Sequence, residues 1–186
     1  MQRLILFRHA PALVEPEKSS IDWELESNVE NQILPLLEGI DTRQLTKIVT
    51  SSQTKAVQTA EVISSALDLP VSVLKGLEEH HRSKEDFVES HDQFEERLQR
   101  FFDNPDSLIF GKETANQACK RFTQTVVNLL SKSKGDELVV SHGTVTSLFL
   151  AQLTDKSAME IWQGLKHPDI RLVEGRELNK VKNLPF

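Results

Sequence analysis

Residues 4–10, Leu-Ile-Leu-Phe-Arg-His-Ala, form the stretch of this sequence that decides its fold. Four consecutive bulky apolar residues are typical of a strand buried on both faces of a parallel sheet, and Arg8 and His9 follow that strand directly. Residues 138–143, Leu-Val-Val-Ser-His-Gly, repeat the pattern and place His142 just after a second strand. Because ligands bind at the carboxyl edge of parallel strands, we expect both histidines to open on one cleft.

The rest of the chain alternates short apolar runs with helical patterns. Further strands are predicted at residues 48–49 and 71–74. Apolar residues that recur at helical spacing predict helices around residues 29–37, 56–67, 87–102, 122–130 and 145–153. This alternation predicts an α/β fold, a three-layer α/β/α arrangement around a largely parallel central sheet.

Two segments depart from the regular alternation. Residues 170–173 and 178–181 flank Glu174-Gly175-Arg176, which predicts a hairpin at the C-terminal edge of the sheet. Residues 78–110 carry an apolar stripe on an acidic background and predict a small helical, cap-like insertion. A chain of 186 residues fits one domain, and we expect residues 1–186 to form it.

The composition excludes several classes of protein. The chain carries 22 Lys and Arg against 28 Asp and Glu, whereas a general nucleic-acid binder needs a strongly basic face. The single cysteine, Cys119, cannot form an intramolecular disulfide. The first apolar run is too short for a signal peptide or a membrane span, so we expect a cytoplasmic protein that binds neither nucleic acid nor membranes.

The predicted cleft contains the groups that phosphoryl chemistry needs. Arg8 and Lys55, the latter in the first turn of the helix that follows the strand at residues 48–49, would surround His9 with positive charge, and helix N-termini would add free N–H groups. The imidazole of His9 can attack phosphorus while the cations neutralise the equatorial oxygens. The leaving oxygen needs a proton, for which Glu78 and Glu79 are both available, and crowding of the two carboxylates would raise the pKa of one of them.

Motifs in a fixed order along the chain resemble those of the histidine phosphatase (phosphoglycerate mutase-like) superfamily. The strand ending in Arg8-His9 resembles the family's signature, and Ser141-His142-Gly143 resembles its second-histidine motif. The other similar segments are residues 22–25 with Gln32, residues 50–60, residues 77–79, and residues 112–114 with Arg121. An ordered set of this kind is far more specific than any one of its motifs.

The resemblance implies a metal-independent phosphohydrolase that works through a phosphohistidine on His9. It favours Glu79 over Glu78 as the general acid. The residues that would hold the phosphoryl group are Arg8, Lys55, His142 and Gly143. No cofactor is implied, the expected substrate is a small phosphorylated metabolite or a phosphoprotein, and the oligomeric state is left open.

Departures from the family pattern leave alternatives open. Lys55 stands where the family has an arginine, and no Asn follows His9 where many members have one. A lysine offers a point charge in place of a planar fork, so a phosphate-binding or regulatory module with impaired turnover is the main alternative. A phosphomutase is less favoured, because mutases of this family carry longer capping segments. A zinc hydrolase that uses His80, His81 and His91 is the third alternative.

The net charge of −6 belongs to one segment of the chain. Residues 78–106 carry ten acidic side chains against four basic ones, while the remainder is balanced. We expect this segment to form an acidic rim around a positive phosphate pocket, which would disfavour long polyanions. Two further residues, Trp23 and His81, are candidates for the wall of the cleft.

Overall fold

The strands that carry the two histidine motifs are neighbours in the central sheet. The computed structural model describes residues 2–82, 86–88 and 90–184. Within these ranges the strands are β1 (Leu4–Arg8), β2 (Ile48–Thr50), β3 (Val71–Val73), β4 (Glu137–Ser141) and β5 (Asp169–Val173). They form one sheet in the spatial order β3-β2-β4-β1-β5.

The strands that lead to the predicted site end level with one another. β4 pairs in parallel with both β1 and β2, so that Phe7 and Thr50 lie on either side of Val140. β2 also pairs in parallel with β3, whereas β5 runs antiparallel to β1. The backbone N–H of His9 extends the ladder by donating to the carbonyl oxygen of Ser141. The predicted largely parallel sheet is therefore confirmed.

Helices cover both faces of this sheet. In the described residues they are α1 (Glu30–Glu38), α2 (Thr54–Leu67), α3 (His91–Asp103), α4 (Ala115–Lys132), α5 (Gly143–Ala151), α6 (Ala158–Gln163) and α7 (Gly175–Lys182). Thr114 and Gln117 form a capping box at the start of α4, and Ser90 caps α3. None of the helices in the described ranges has the length and apolar character needed to cross a bilayer.

Alternation along the strands separates two hydrophobic cores. Leu4 and Leu6 of β1 pack into one core with residues of α3 to α7, whereas Ile5 and Phe7 pack into the other with residues of α1 and α2. Every residue of β1 and β4 is buried, as expected for strands covered on both faces. This arrangement is the predicted three-layer α/β/α fold.

Both edges of the sheet differ from the prediction. Val73 of β3 is 56% exposed, because β3 is the outermost strand of the described sheet. At the other edge the predicted C-terminal hairpin is wrong, since its first strand is β5 but residues 178–181 lie in α7. Gly175 takes the left-handed conformation (φ 56°) and turns the chain, after which Leu178 and Val181 are buried on one face of the helix. A spacing of three residues suits a helix that packs on α4 better than it suits a strand.

The segment that the sequence marks as cap-like contains α3. Leu98 and Phe101 are the fully buried residues of this helix and fix it to the core, and the helix also contacts α6. The predicted amphipathic helix is therefore present from residue 91 onward. Glu85 and Glu89, two acids of the predicted rim, lie outside the described residues.

Candidate active site

A cleft of about 610 Å³ opens at the carboxyl edge of the parallel strands. The residues that sequence analysis assigned to the site and that line this cleft are Arg8, His9, Lys55, Glu79 and Gly143. His142 does not line the cleft, so the expectation that both histidines open on it is wrong for this residue. It is fully buried beside the lining residues, with its ring centroid 5.1 Å from that of His9. Level strand ends thus bring together residues that are far apart in the sequence.

One hydrogen bond fixes the tautomer of His9. Its Nδ1 lies 2.7 Å from the carbonyl oxygen of Ala10, which can only accept, so Nδ1 carries the proton and Nε2 keeps its lone pair. Burial, followed by the charge of Lys55, lowers the pKa of His9 well below its ordinary value. The imidazole is therefore neutral near pH 7, as a nucleophile must be.

His142 is oriented by a side chain from the neighbouring strand end. Its Nε2 lies 2.8 Å from Oγ of Ser51, the residue that follows β2. The other ring nitrogen, Nδ1, is buried and has no hydrogen-bond partner among the described residues. Burial, and then the neighbouring His9, lower the pKa of His142 as well, so a neutral ring faces its neighbour.

Arg8 and Gly143 fit together closely. The Nη1 atom of Arg8 donates to the carbonyl oxygen of Leu165 at 3.0 Å, while its buried Nε has no partner among the described residues. A Cβ atom on Gly143 would lie 3.0 Å from Cζ of Arg8, so only glycine leaves the guanidinium in place. Burial lowers the pKa of Arg8 to about 10, and the group stays charged at neutral pH.

Lys55 is buried in the first turn of α2. Its Nζ donates to the carbonyl oxygen of Ser20 and lies 5.4 Å from the ring centroid of Trp23. Burial, and then the charge of Arg82, lower the pKa of Lys55 to about 8. Trp23, a predicted candidate for the wall of the cleft, does line it.

The two adjacent carboxylates have different surroundings. Glu79 is 7% exposed and accepts from the backbone N–H groups of Thr144 and Val145 in the first turn of α5. Glu78 turns away and accepts from Oγ of Ser52 at 2.9 Å. The expected crowding is therefore wrong, and so is the expectation that the start of α5 leaves these N–H groups free.

The pKa of Glu79 lies below its ordinary value. Burial alone would raise it, but the charge of Arg82 and the N–H donors of Thr144 and His80 outweigh burial. Glu79 is therefore ionised in the unliganded cleft. A role as proton donor requires a change of charge in the cleft that raises this pKa.

Arg121 of α4 holds the turn that carries Glu79. It donates to the carboxylate of Glu113 through Nη2 at 2.6 Å and Nε at 3.2 Å. Its Nη1 also donates to the carbonyl oxygens of Gly76 and Glu78. The Glu113–Arg121 pair of the motif at residues 112–121 thus contacts the acid's backbone and not the cleft itself.

Sequence analysis missed Arg82 and His167, which both line the cleft. The charge of Arg82 lowers the pKa of Glu79, Lys55 and His142, and its buried Nε has no partner among the described residues. The ring of His167 lies 5.1 Å from that of His9. The antiparallel direction of β5, had it been known, would have placed His167 next to the end of β1.

The histidines of the zinc alternative lie in different surroundings. His80 is buried with its ring centroid 4.2 Å from that of Phe101. The side chain of His81 is 44% exposed beside Glu113 and does not line the cleft, so the expectation that it faces the cleft is wrong. His91 pairs with a glutamate on its own helix. In the described residues, no three His, Cys, Asp or Glu side chains are placed to hold a metal ion.

Comparisons with known structures agree with this architecture. Mycobacterial glucosyl-3-phosphoglycerate phosphatase aligns with a TM-score of 0.73 at 20% identity, over 94% of this chain and 91% of its own. YhfR of Bacillus stearothermophilus aligns at 0.72 and 21% identity, over 94% and 91%. Phosphoserine phosphatase of Entamoeba histolytica, solved with 3-phosphoglyceric acid, aligns at 0.71 and 20% identity, over 92% and 90%. At these identities the likeness shows the fold.

Sequence comparison identifies the family. No curated protein matches the chain. A family profile does match, however, and it covers residues 4–174, which include every strand of the sheet and the whole cleft. The chain therefore belongs to the histidine phosphatase superfamily, branch 1.

Proposed function

We propose that the protein is a metal-independent phosphohydrolase that cleaves phosphate monoesters through a phosphohistidine on His9. The observation that carries the proposal is a neutral His9 with a free Nε2 lone pair, set in a cleft with the cations Arg8, Lys55 and Arg82. Three cationic side chains can offset the charge of a phosphoryl dianion without a metal ion. The phosphatases that share this fold support a monoester as the substrate class.

In the first step Nε2 of His9 attacks phosphorus in line with the ester oxygen. The N–P bond forms as the P–O bond to the leaving group breaks, and Glu79 protonates the departing oxygen. Nδ1 keeps its proton, because this N–H donates a hydrogen bond to the carbonyl oxygen of Ala10 at 2.7 Å, and the ring therefore takes up the phosphoryl group without losing its orientation. The guanidinium groups of Arg8 and Arg82, which both line the cleft, are the donors suited to the equatorial oxygens.

Substrate binding also resolves the protonation state of Glu79. In the free cleft, the charge of Arg82 is the strongest of the influences that hold the pKa of Glu79 down. A bound dianion offsets that charge and adds its own, so the pKa of Glu79 rises and the carboxylate takes up a proton. Substrate binding therefore produces the protonated carboxyl group of Glu79 that the reaction requires.

In the second step water replaces the leaving group. Glu79, now ionised again, accepts a proton from this water as its oxygen attacks phosphorus. The N–P bond breaks, inorganic phosphate leaves, and His9 returns to its neutral form. The same carboxylate thus acts first as acid and then as base.

The test compares His9→Ala with the intact chain on 4-nitrophenyl phosphate and follows the acid-labile phosphoenzyme. We expect turnover to fall by about three orders of magnitude or more, as when other enzymes lose their nucleophile, together with loss of the phosphoenzyme. His81→Ala is the matched control, because His81 lies outside the cleft. Equal turnover in the intact chain and in His9→Ala would refute the proposal.

A phosphate-binding module without turnover is the second candidate function. It is favoured by Lys55, which supplies one point charge and already donates to Ser20. This candidate predicts that phosphate or vanadate raises the melting temperature of the chain, while no ester yields a phosphoenzyme. Formation of the phosphoenzyme excludes it.

A further inference from the structure

The cleft is larger than a phosphoryl group requires. Its volume of about 610 Å³ falls in the range of roughly 300–1,000 Å³ that is typical of pockets for whole small molecules. The cations Arg8, Lys55 and Arg82 line it together with His9, and a phosphoryl group held among them leaves the remaining volume to the leaving group.

That remaining volume is bordered by four aromatic side chains, Trp23, Phe87, Phe94 and Trp162, called here the aromatic wall. Trp23 and Phe87 meet edge to face with ring centroids 6.2 Å apart, and Phe94 lies 6.0 Å from Trp162. The indole N–H of Trp23 donates to the carbonyl oxygen of Glu15, so its polar edge is satisfied within the protein. What Trp23, Phe87 and Phe94 offer a ligand is therefore aromatic carbon.

The aromatic wall begins where the phosphoryl-binding cations end. Nζ of Lys55 lies 5.4 Å from the ring centroid of Trp23, and Cζ of Arg82 lies 5.0 Å from that of Phe94. A phosphoryl group held by these cations therefore lies beside the aromatic rings, and its leaving group has them within reach.

The charges near the wall disfavour an anionic leaving group. Asp86 and Glu95, which line the cleft, stand next in sequence to Phe87 and Phe94. Lys18 also lines the cleft, but its Nζ is paired with Glu15 at 2.9 Å. A carboxylate carried by the leaving group would meet these two acids, of which Asp86 also interacts with Arg82 and Glu95 pairs with His91.

We propose that the substrate's leaving group is an uncharged alcohol that carries a bulky apolar ring. This inference rests on the proposed function and deepens it, because it separates the chain from phosphatases whose substrates carry a carboxylate. The ring packs against the aromatic wall, and the phosphoryl group lies among the cations.

The test uses three monoesters, all of aliphatic alcohols, so that leaving-group acidity does not dominate the comparison: 2-phenylethyl phosphate, ethyl phosphate and O-phosphoserine. We expect kcat/KM for the phenylethyl ester to exceed that for each of the other two by about tenfold or more, from the apolar area it buries. Phe87→Ala lowers the preference for phenylethyl over ethyl phosphate several-fold, mainly through KM. Leu108→Ala is the matched control, since Leu108 is 62% exposed and lies outside the cleft, and it leaves the preference unchanged.

Equal kcat/KM for the phenylethyl and ethyl esters, or a preference for phosphoserine, overturns this inference while leaving the proposed function intact. Failure of the proposed function looks different, because the intact chain and His9→Ala then turn over all three esters equally. In that case calorimetric affinities of the three esters for the intact chain decide the question. Tighter binding of the phenylethyl ester supports the inference, and equal binding refutes it.

Discussion

Lys55 gives the cleft a dependence on pH that an arginine would not. Burial lowers the pKa of Lys55 to about 8, so the side chain is charged below that pH and becomes neutral above it. We expect kcat/KM to decline as the pH rises through about 8, because the neutral amine no longer attracts the dianion. The free enzyme's pKa governs kcat/KM, which is therefore the quantity to measure between pH 6 and about 9, below the pKa of Arg8.

Lys55→Arg provides the comparison for this profile. An arginine keeps its charge throughout this pH range, so the decline above about pH 8 should disappear in the variant. If the variant and the intact chain lose kcat/KM in parallel, a different group controls the upper limb of the profile.

Glu79 is expected to matter most for esters with poor leaving groups. Glu79→Gln removes the proton donor, and we expect kcat for 2-phenylethyl phosphate to fall by about 10²–10⁴-fold. The loss for 4-nitrophenyl phosphate should be much smaller, because nitrophenolate leaves without protonation. Glu78→Gln is the control, since Glu78 is held by Ser52 and does not line the cleft. Equal losses on both esters would contradict the assignment of Glu79 as general acid.

Strand-end chemistry made part of the site predictable from sequence. His9 and His142 follow buried apolar runs directly, and the carboxyl-edge rule brings them together without any homologue. Arg82 lies in a loop three residues after Glu79, where no periodicity or motif marks it. His167 precedes an edge strand whose antiparallel direction depends on pairing with β1, and a local pattern does not encode that partner.

At the level of elements, Arg121 ties α4 to the turn before Glu79. Its guanidinium bonds the carboxylate of Glu113 and the backbone carbonyls of Gly76 and Glu78 in one cluster. We expect Arg121→Leu to lower the free energy of unfolding by about 3 kcal/mol, because it strands a largely buried carboxylate and several carbonyl groups. It should also lower kcat, by misplacing Glu79. Urea unfolding and steady-state kinetics measure the two effects.

Arg43→Leu is the matched control for the cluster around Arg121. Arg43 also forms an ion pair, with Asp41, but its side chain is 86% exposed, so solvent takes the place of the lost contact. We expect neither the free energy of unfolding nor kcat to change in this variant. A comparable decrease in the free energy of unfolding in both variants would mean that loss of any arginine charge, and not loss of the Arg121 contacts, destabilises the chain.

The C-terminal element shows where pattern reading fails. Residues 170–173 and 178–181 both look like short apolar strands around a glycine, and only the first is one. Leu178 and Val181 are three residues apart, a spacing that fits one helical face, and contact with α4 selects the helix. Whether a short apolar segment becomes strand or helix is thus decided by its tertiary partner.

For the molecule as a whole, layers are more predictable than order. The alternation of apolar runs and amphipathic helices predicts three layers, because each element must bury its apolar face. The spatial order β3-β2-β4-β1-β5 depends on which strands pair. An apolar residue such as Leu138 of β4 does not indicate by its type which strand lies beside it. The sequence therefore predicts the architecture and the site's edge, and pairing determines the rest.

Whole-molecule stability should depend on the buried neutral histidines. His9 and His142 have pKa values well below that of an unfolded histidine, about 6.5. Below that pH the unfolded chain binds protons that the folded chain does not, so the free energy of unfolding decreases as the pH falls. We expect urea midpoints to drop between pH 7 and 5, and to drop less steeply in His142→Asn. His81→Asn, at an exposed position, should keep the full slope, and an unchanged slope in His142→Asn would contradict the account.

Part of the aromatic wall and part of the proposed phosphoryl site come from separate segments of the chain. Phe87 and Phe94 come from the segment that includes α3, which is anchored to the core by Leu98 and Phe101, whereas Arg8, His9 and Lys55 of the proposed phosphoryl site lie at or just after strand ends. These two phenylalanines can therefore change without a change in those three groups. A designer could exchange residues 87–97, which do not include Arg82, and retain both anchors. We expect such a variant to catalyse the same reaction with a different substrate preference.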